Sequence, residues 1–180
     1  MKPRLGAFCD GARTRFALFT TTAARCAVET SDGTFEMCDA GAGVFEVVAP
    51  VGAGALYRFV LDGKPLPDPY ARALPEGVHG RARVVSRGAF EHPNVSRPLA
   101  EHVVYELHVG AFTPEGTFDA VRARLPYLAK LGVTMIELMP IAAFAGERGW
   151  GYDGVALFAP HAAYGTPEDL RRLVDEAHRL

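Results

Sequence analysis

Lysine is scarce in this 180-residue chain, occurring only at Lys2, Lys64 and Lys130, and the arginines are scattered through a net charge of -2. Without a basic stripe there is no electrostatic footprint for nucleic acid or an anionic membrane. No segment approaches the ~18 consecutive apolar residues of a membrane span. The opening Met1-Lys2-Pro3-Arg4-Leu5-Gly6 lacks the apolar run of a signal peptide. Cysteine is limited to Cys9, Cys26 and Cys38, an odd number with no metal-ligand spacing, which predicts free thiols in a reducing cytoplasm. The Asn94-Val95-Ser96 sequon then carries no sugar.

Cofactor fingerprints are missing as well. Gly52-Ala53-Gly54-Ala55-Leu56-Tyr57 opens like a dinucleotide motif but lacks the last glycine and a strand-to-helix setting. There is no P-loop, nucleophile elbow or paired-histidine zinc motif. The residues predict no cofactor and no metal.

What is present divides into two grammars. From Arg13 to about Leu61, short β-prone runs alternate with Gly-rich turns: Thr14–Thr20, Arg25–Glu29, Thr34–Met37, Val44–Val48 and Leu56–Leu61. Strands this short at this spacing predict a β-sandwich. Lys64 to Gly80 carries Pro65, Pro67, Pro69 and Pro75, which predicts irregular chain returning as a last strand near Arg81–Val85. Gly88 to Glu101 reads as a linker.

Beyond Glu101 the pattern changes. Val103–Val109 and Val133–Met139 are nearly continuous apolar runs, expected to be strands buried on both faces. Between them Thr117 can cap a helix with apolar positions Phe118, Val121, Leu125, Leu128 and Leu131; Pro126 predicts a break in it and Gly132 its end. A second helix starts at Thr166, with Pro167 first and Glu168 and Asp169 near the positive end of its dipole. Its apolar face is Leu170, Leu173, Val174, Ala177 and Leu180. The helix is still running at Leu180, so a longer parent protein is expected. The domain boundaries are set at 1–87 for the β-sandwich, 88–101 for the linker and 102–180 for the start of the β/α domain.

Three groups carry possible chemistry. Glu106 and Glu137 are acids inside the apolar runs; a structural role, satisfied by backbone or an arginine, is preferred over paired-carboxylate catalysis. His108 ends a buried strand and is expected to be a hydrogen-bonded core histidine. Gly149-Trp150-Gly151-Tyr152-Asp153-Gly154 sits in the long Pro140–Gly165 connection, on the face where barrels bind ligands. Aromatic rings stack on the C–H face of a pyranose while a carboxylate accepts from its hydroxyls, so Trp150, Tyr152 and Asp153 are candidate sugar contacts. The competing reading has Trp150 capping the core and the glycines only turning the loop.

At this point the residues resemble a known family. Val103-Val104-Tyr105-Glu106-Leu107-His108-Val109-Gly110, Tyr127-Leu128-Ala129-Lys130-Leu131-Gly132-Val133-Thr134 and Ile136-Glu137-Leu138-Met139-Pro140 resemble the barrel opening of the α-amylase superfamily. Pro67-Asp68-Pro69-Tyr70-Ala71-Arg72, Pro75-Glu76-Gly77-Val78-His79-Gly80 and Arg148 to Gly154 are most similar to its malto-oligosyltrehalose trehalohydrolase family, whereas branching enzymes usually carry Gln where Asp153 stands. The resemblance implies an immunoglobulin-like β-sandwich followed by the first two βα units of a (β/α)8 TIM barrel. It implies a parent enzyme of trehalose biosynthesis, a retaining α-glycosidase acting on maltooligosyl trehalose or a related α-glucan, with no nucleic-acid or membrane partner. In the family the Asp nucleophile, the Glu acid/base and a further Asp lie on later strands, so no catalytic residue and no activity are expected in this chain. Tyr152 matches the aromatic that stacks on the sugar at the cleavage point, with Trp150 and Asp153 beside it. A branching or debranching enzyme and a stand-alone glucan-binding module remain open alternatives.

Overall fold

The computed structural model describes residues 4–94 and 97–180. Met1, Lys2 and Pro3 of the N-terminal segment and Val95 and Ser96 of the sequon lie outside the described residues. The chain is a mixed β/α fold that divides into two compact units. One runs up to Arg87 and includes Ala156–Ala159; the other comprises Gly88–Val155 and Pro160–Leu180.

Up to Arg87 the described residues of the first unit form short strands: β1 (Gly6–Asp10), β2 (Arg13–Phe19), β3 (Cys26–Thr30), β4 (Gly33–Glu36), β5 (Cys38–Gly41), β6 (Val44–Ala49), β7 (Leu56–Leu61), β8 (Lys64–Leu66) and β9 (Ala82–Arg83). One antiparallel sheet has the order β1-β2-β6-β5; the other runs β4-β3-β7-β8, with β9 also on β7. Phe16 on β2 meets Tyr57 on β7 with ring centroids 4.9 Å apart, so the sheets face each other across a core that also holds Val28 and Phe59. Asp62 and Gly63 both take positive φ, the twist-matched two-residue turn between β7 and β8. The Asp62 carboxylate also accepts from the Ala24 and Arg25 N–H groups at the entrance to β3.

Three strands depart from expectation. β1 precedes Arg13, where the first strand was expected. β5 occupies part of the stretch read as a Gly-rich turn; its side chains are all exposed, and it is held by backbone pairing to β6 with a bulge between Asp39 and Gly41. β8 forms in the proline-rich tract because it lies at a sheet edge, where the missing N–H of Pro65 is tolerated. Past β8 the tract is irregular, as expected, and is ordered by the buried Asp68. Its Oδ2 accepts the Tyr57 hydroxyl at 2.6 Å and its Oδ1 the Tyr70 N–H at 2.8 Å. Burial pushes the Asp68 carboxyl up, against downward pulls from Tyr57, Tyr70 and Arg72.

In the second unit β10 (Val104–Leu107) and β11 (Met135–Leu138) are parallel neighbours. Between them lie a single helical turn, α1 (Val109–Phe112), and the long helix α2 (Phe118–Leu131). Thr117 caps α2 by accepting from the Ala120 N–H, and Gly132 closes it in the left-handed conformation. Pro126 does not break α2, contrary to expectation. It stands on the exposed face, where water can reach the carbonyl that its missing N–H leaves unpaired. α3 (Pro167–Arg179) opens with a capping box between Thr166 and Asp169. Phe118, Val121, Leu125, Leu128 and Leu173 form the core with Leu107 and Val109.

The expectation that β10 and β11 are buried on both faces does not hold in this chain. Tyr105, Leu107, Ile136 and Leu138 pack on the helical side. The alternate positions Val104, Glu106, Met135 and Glu137 are exposed. No barrel closes among the described residues. Residues 88–94 run back along α3, where the Asp175 carboxylate accepts from the Glu91 and His92 N–H groups.

Candidate functional site

The connection from β11 to α3 leaves the C-terminal end of β11. It contains β12 (Ala142–Ala143), β13 (Ala156–Pro160) and a 3-10 turn at Ala162–Tyr164. Between β12 and β13 the backbone is pressed against its surroundings. A Cβ on Gly149 would stand 3.0 Å from the Phe144 ring, and one on Gly154 2.9 Å from the Ala142 Cβ. At Gly151, with φ +88°, a Cβ would fall 2.0 Å from the Pro140 carbonyl oxygen. These glycines do more than turn the chain: they let the loop lie flat on the segment just after β11.

The residues between the glycines stand outward. Trp150 is 77% exposed and Tyr152 69% exposed, and Asp153 is exposed beside them. Trp150 therefore caps no core within this chain. The candidate trio is brought together by continuity of the loop, and its side chains project into solvent.

Beneath the loop lies an aromatic and imidazole cluster. His161 is buried and stacks on Phe144 with ring centroids 3.7 Å apart and planes 13° from parallel. Burial holds the His161 imidazole below the ordinary histidine range, against a smaller upward pull from its hydrogen bond to the Glu147 backbone. Tyr164, also buried, meets His161 and Phe118 edge-on. His108 follows β10, and its Nε2 lies 2.9 Å from the Gly149 carbonyl oxygen and 3.3 Å from the Tyr164 hydroxyl. The expected hydrogen-bonded histidine is present, bonded to the loop that carries Trp150. Sequence reasoning missed His161 and Phe144; seventeen positions apart, they leave no local pattern.

Glu106 and Glu137 are adjacent Cα partners across the two parallel strands, both on the open face. Neither carboxylate finds the backbone or arginine partner expected for it among the described residues. The three cysteines are free. Among the described residues no group of three or more His, Cys, Asp or Glu is arranged to hold a metal ion. No described helix is long and apolar enough to cross a membrane.

With this geometry in view, residues 66–180 match the model of the α-amylase catalytic domain, and the chain belongs to that family of glycoside hydrolases. Within it, the chain is 55% identical to the malto-oligosyltrehalose trehalohydrolase of Deinococcus radiodurans, over 99% of this chain and 31% of that enzyme. It is 46% identical to the corresponding enzyme of Saccharolobus solfataricus, over 82% of this chain and 27% of that protein. The crystal structure of a putative α-amylase from Salmonella typhimurium superposes with a TM-score of 0.90 at 45% identity, over 99% of this chain and 32% of the other. A pullulanase from Anoxybacillus sp. LM18-11, at 21% identity and a TM-score of 0.79, shares the fold alone. The chain spans about a third of the length of these relatives.

Proposed function

We propose that this chain is the N-terminal portion of an enzyme that hydrolyses the α-1,4 bond next to the terminal trehalose of maltooligosyl trehalose, releasing trehalose. The observation that carries the reading is 55% identity to a malto-oligosyltrehalose trehalohydrolase along 99% of the chain. In this reading residues 1–87 form an immunoglobulin-like sandwich related to glucan-binding modules, 88–101 a linker, and 102–180 the first two βα units of a (β/α)8 barrel. The open face of β10 and β11 is then the face turned to the barrel interior.

The sugar site begins at the Trp150–Asp153 loop. Tyr152 stacks on the sugar at the cleavage point, Trp150 extends the apolar platform, and Asp153 accepts from hydroxyls. An aromatic face also favours a sugar that develops positive charge over its neutral ground state. Retaining hydrolysis needs two carboxyl groups about 5–5.5 Å apart on either side of the bond. Glu106 and Glu137 lie on strands rather than in the loops at the strand ends, and are not assigned that role. The 180 residues alone are expected to bind but not to cleave.

A branching activity is the second reading, since the chain is also 38% identical to a 1,4-α-glucan branching enzyme of Burkholderia thailandensis over 76% of its length. Assaying a full-length protein that begins with these residues for trehalose release and for new branch points decides between the two. Trehalose release without branching supports the hydrolase; branching without trehalose overturns it.

A further inference from the structure

Trp150 has its two flanks held by different devices. On one side Gly151 is pressed onto the Pro140 carbonyl, a contact within the same connection. On the other, the Gly149 carbonyl accepts from His108, which belongs to the end of β10. Because a carbonyl can only accept, the hydrogen of that bond sits on His108 Nε2, and Nδ1 is left as an acceptor. That Nδ1 is buried and has no partner among the described residues. A buried polar atom without a partner carries a cost that an apolar ring in the same place would avoid. The ring is oriented for the loop at the expense of its own second nitrogen.

We propose that His108 is a positioning residue: its bond to the Gly149 carbonyl ties the Trp150–Asp153 loop to the end of β10 and so sets where Trp150 and Tyr152 stand. The role assigned to those two rings rests on the sugar-site reading above; the tie itself does not. Phe144, stacked on His161, anchors the loop's start. Of these holds, His108 alone joins the loop to the neighbouring strand. Tyr164 backs the His108 ring edge-on, with centroids 5.8 Å apart, and so limits its rotation. For a stacking platform this matters, because contacts placed before binding cost less ordering when the sugar arrives.

Two substitutions in the full 180-residue chain separate the tie from simple packing. His108→Phe keeps a ring against Tyr164 and removes the donor. His108→Gln restores an N–H at nearly the same reach from Cβ. Backbone 15N order parameters for residues 149–153 should lie near the rigid value of about 0.85 in the wild-type chain and drop below about 0.6 in His108→Phe. They should return to the wild-type range in His108→Gln, with β10, β11 and α2 unchanged throughout. A loop that stays rigid in His108→Phe, or that His108→Gln fails to restore, overturns the proposal. If His108→Phe does not fold, the wild-type chain answers by long-range 1H–15N spectra. A slowly exchanging hydrogen on His108 Nε2 supports the tie, and a hydrogen on Nδ1 alone overturns it. Trp150 is the only tryptophan, so its fluorescence during a maltotriose titration reads sugar contact separately. A rigid loop indifferent to maltotriose supports the tie and counts against the sugar reading instead.

Discussion

The two units solve the burial problem differently. The first closes its core between two sheets of its own, with Phe16, Val28, Tyr57 and Phe59 fully enclosed. The second covers one face of its strand pair with helices and leaves Val104, Glu106, Met135 and Glu137 open, two like charges side by side among apolar neighbours. A parallel strand pair is ordinarily covered on both faces, and here the helices cover one face only. The closed unit encloses its own core; the open one leaves one face of its strand pair exposed.

The strongest way to break this comparison is to remove a core ring from the closed unit. Phe16→Ala should cost about 3–5 kcal/mol, read as a lower melting temperature and lost amide protection at Val28 and Phe59. Loss of protection spread equally over β10 and β11 would show that the two cores are not separate. Removing Pro126 sharpens the other side. Because Pro126 stands on the exposed face, Pro126→Ala should restore a helical N–H and stabilise α2 by on the order of 1–3 kcal/mol. A destabilised Pro126→Ala chain would mean the proline shapes the helix in a way the core requires.

The smallest effect concerns pH. Burial raises the Asp68 carboxyl in the folded state, so between the unfolded carboxylate value and the folded one the native chain holds more protons than the unfolded chain. Stability from this group is fully present below the unfolded value and is lost as pH rises through the folded value. Asp68→Asn should flatten that slope in a series of melting curves against pH, whatever it does to absolute stability through the Tyr70 contact. An unchanged slope would contradict the assignment.

How much of this was legible follows the same division. β2, β3, β4, β6 and β7 could be read because apolar alternation and glycine turns are local signals. β1, β5 and β8 could not, since β1 and β8 are sheet edges and β5 is four exposed residues held by backbone pairing. Helix ends at Thr117, Gly132 and Thr166 were legible because caps are chemical. The Pro126 rule failed because it ignores which face the proline occupies. In the candidate site the glycines announced an unusual loop, but their purpose, close packing on Pro140, Ala142 and Phe144, is a tertiary fact. The hold of His108 on Gly149 spans forty-one positions and has no sequence signature.

The most direct test of the functional claim is the specificity constant of a full-length protein carrying Tyr152→Ala, measured on maltooligosyl trehalose. Loss of a ring that stabilises the transition state should lower kcat/KM by roughly one to two orders of magnitude, about 1.4–3 kcal/mol, with the melting temperature unchanged because the side chain is 69% exposed. Tyr152→Phe should retain most of the activity if stacking dominates. An unchanged kcat/KM in Tyr152→Ala would remove this ring from the site and contradict the account.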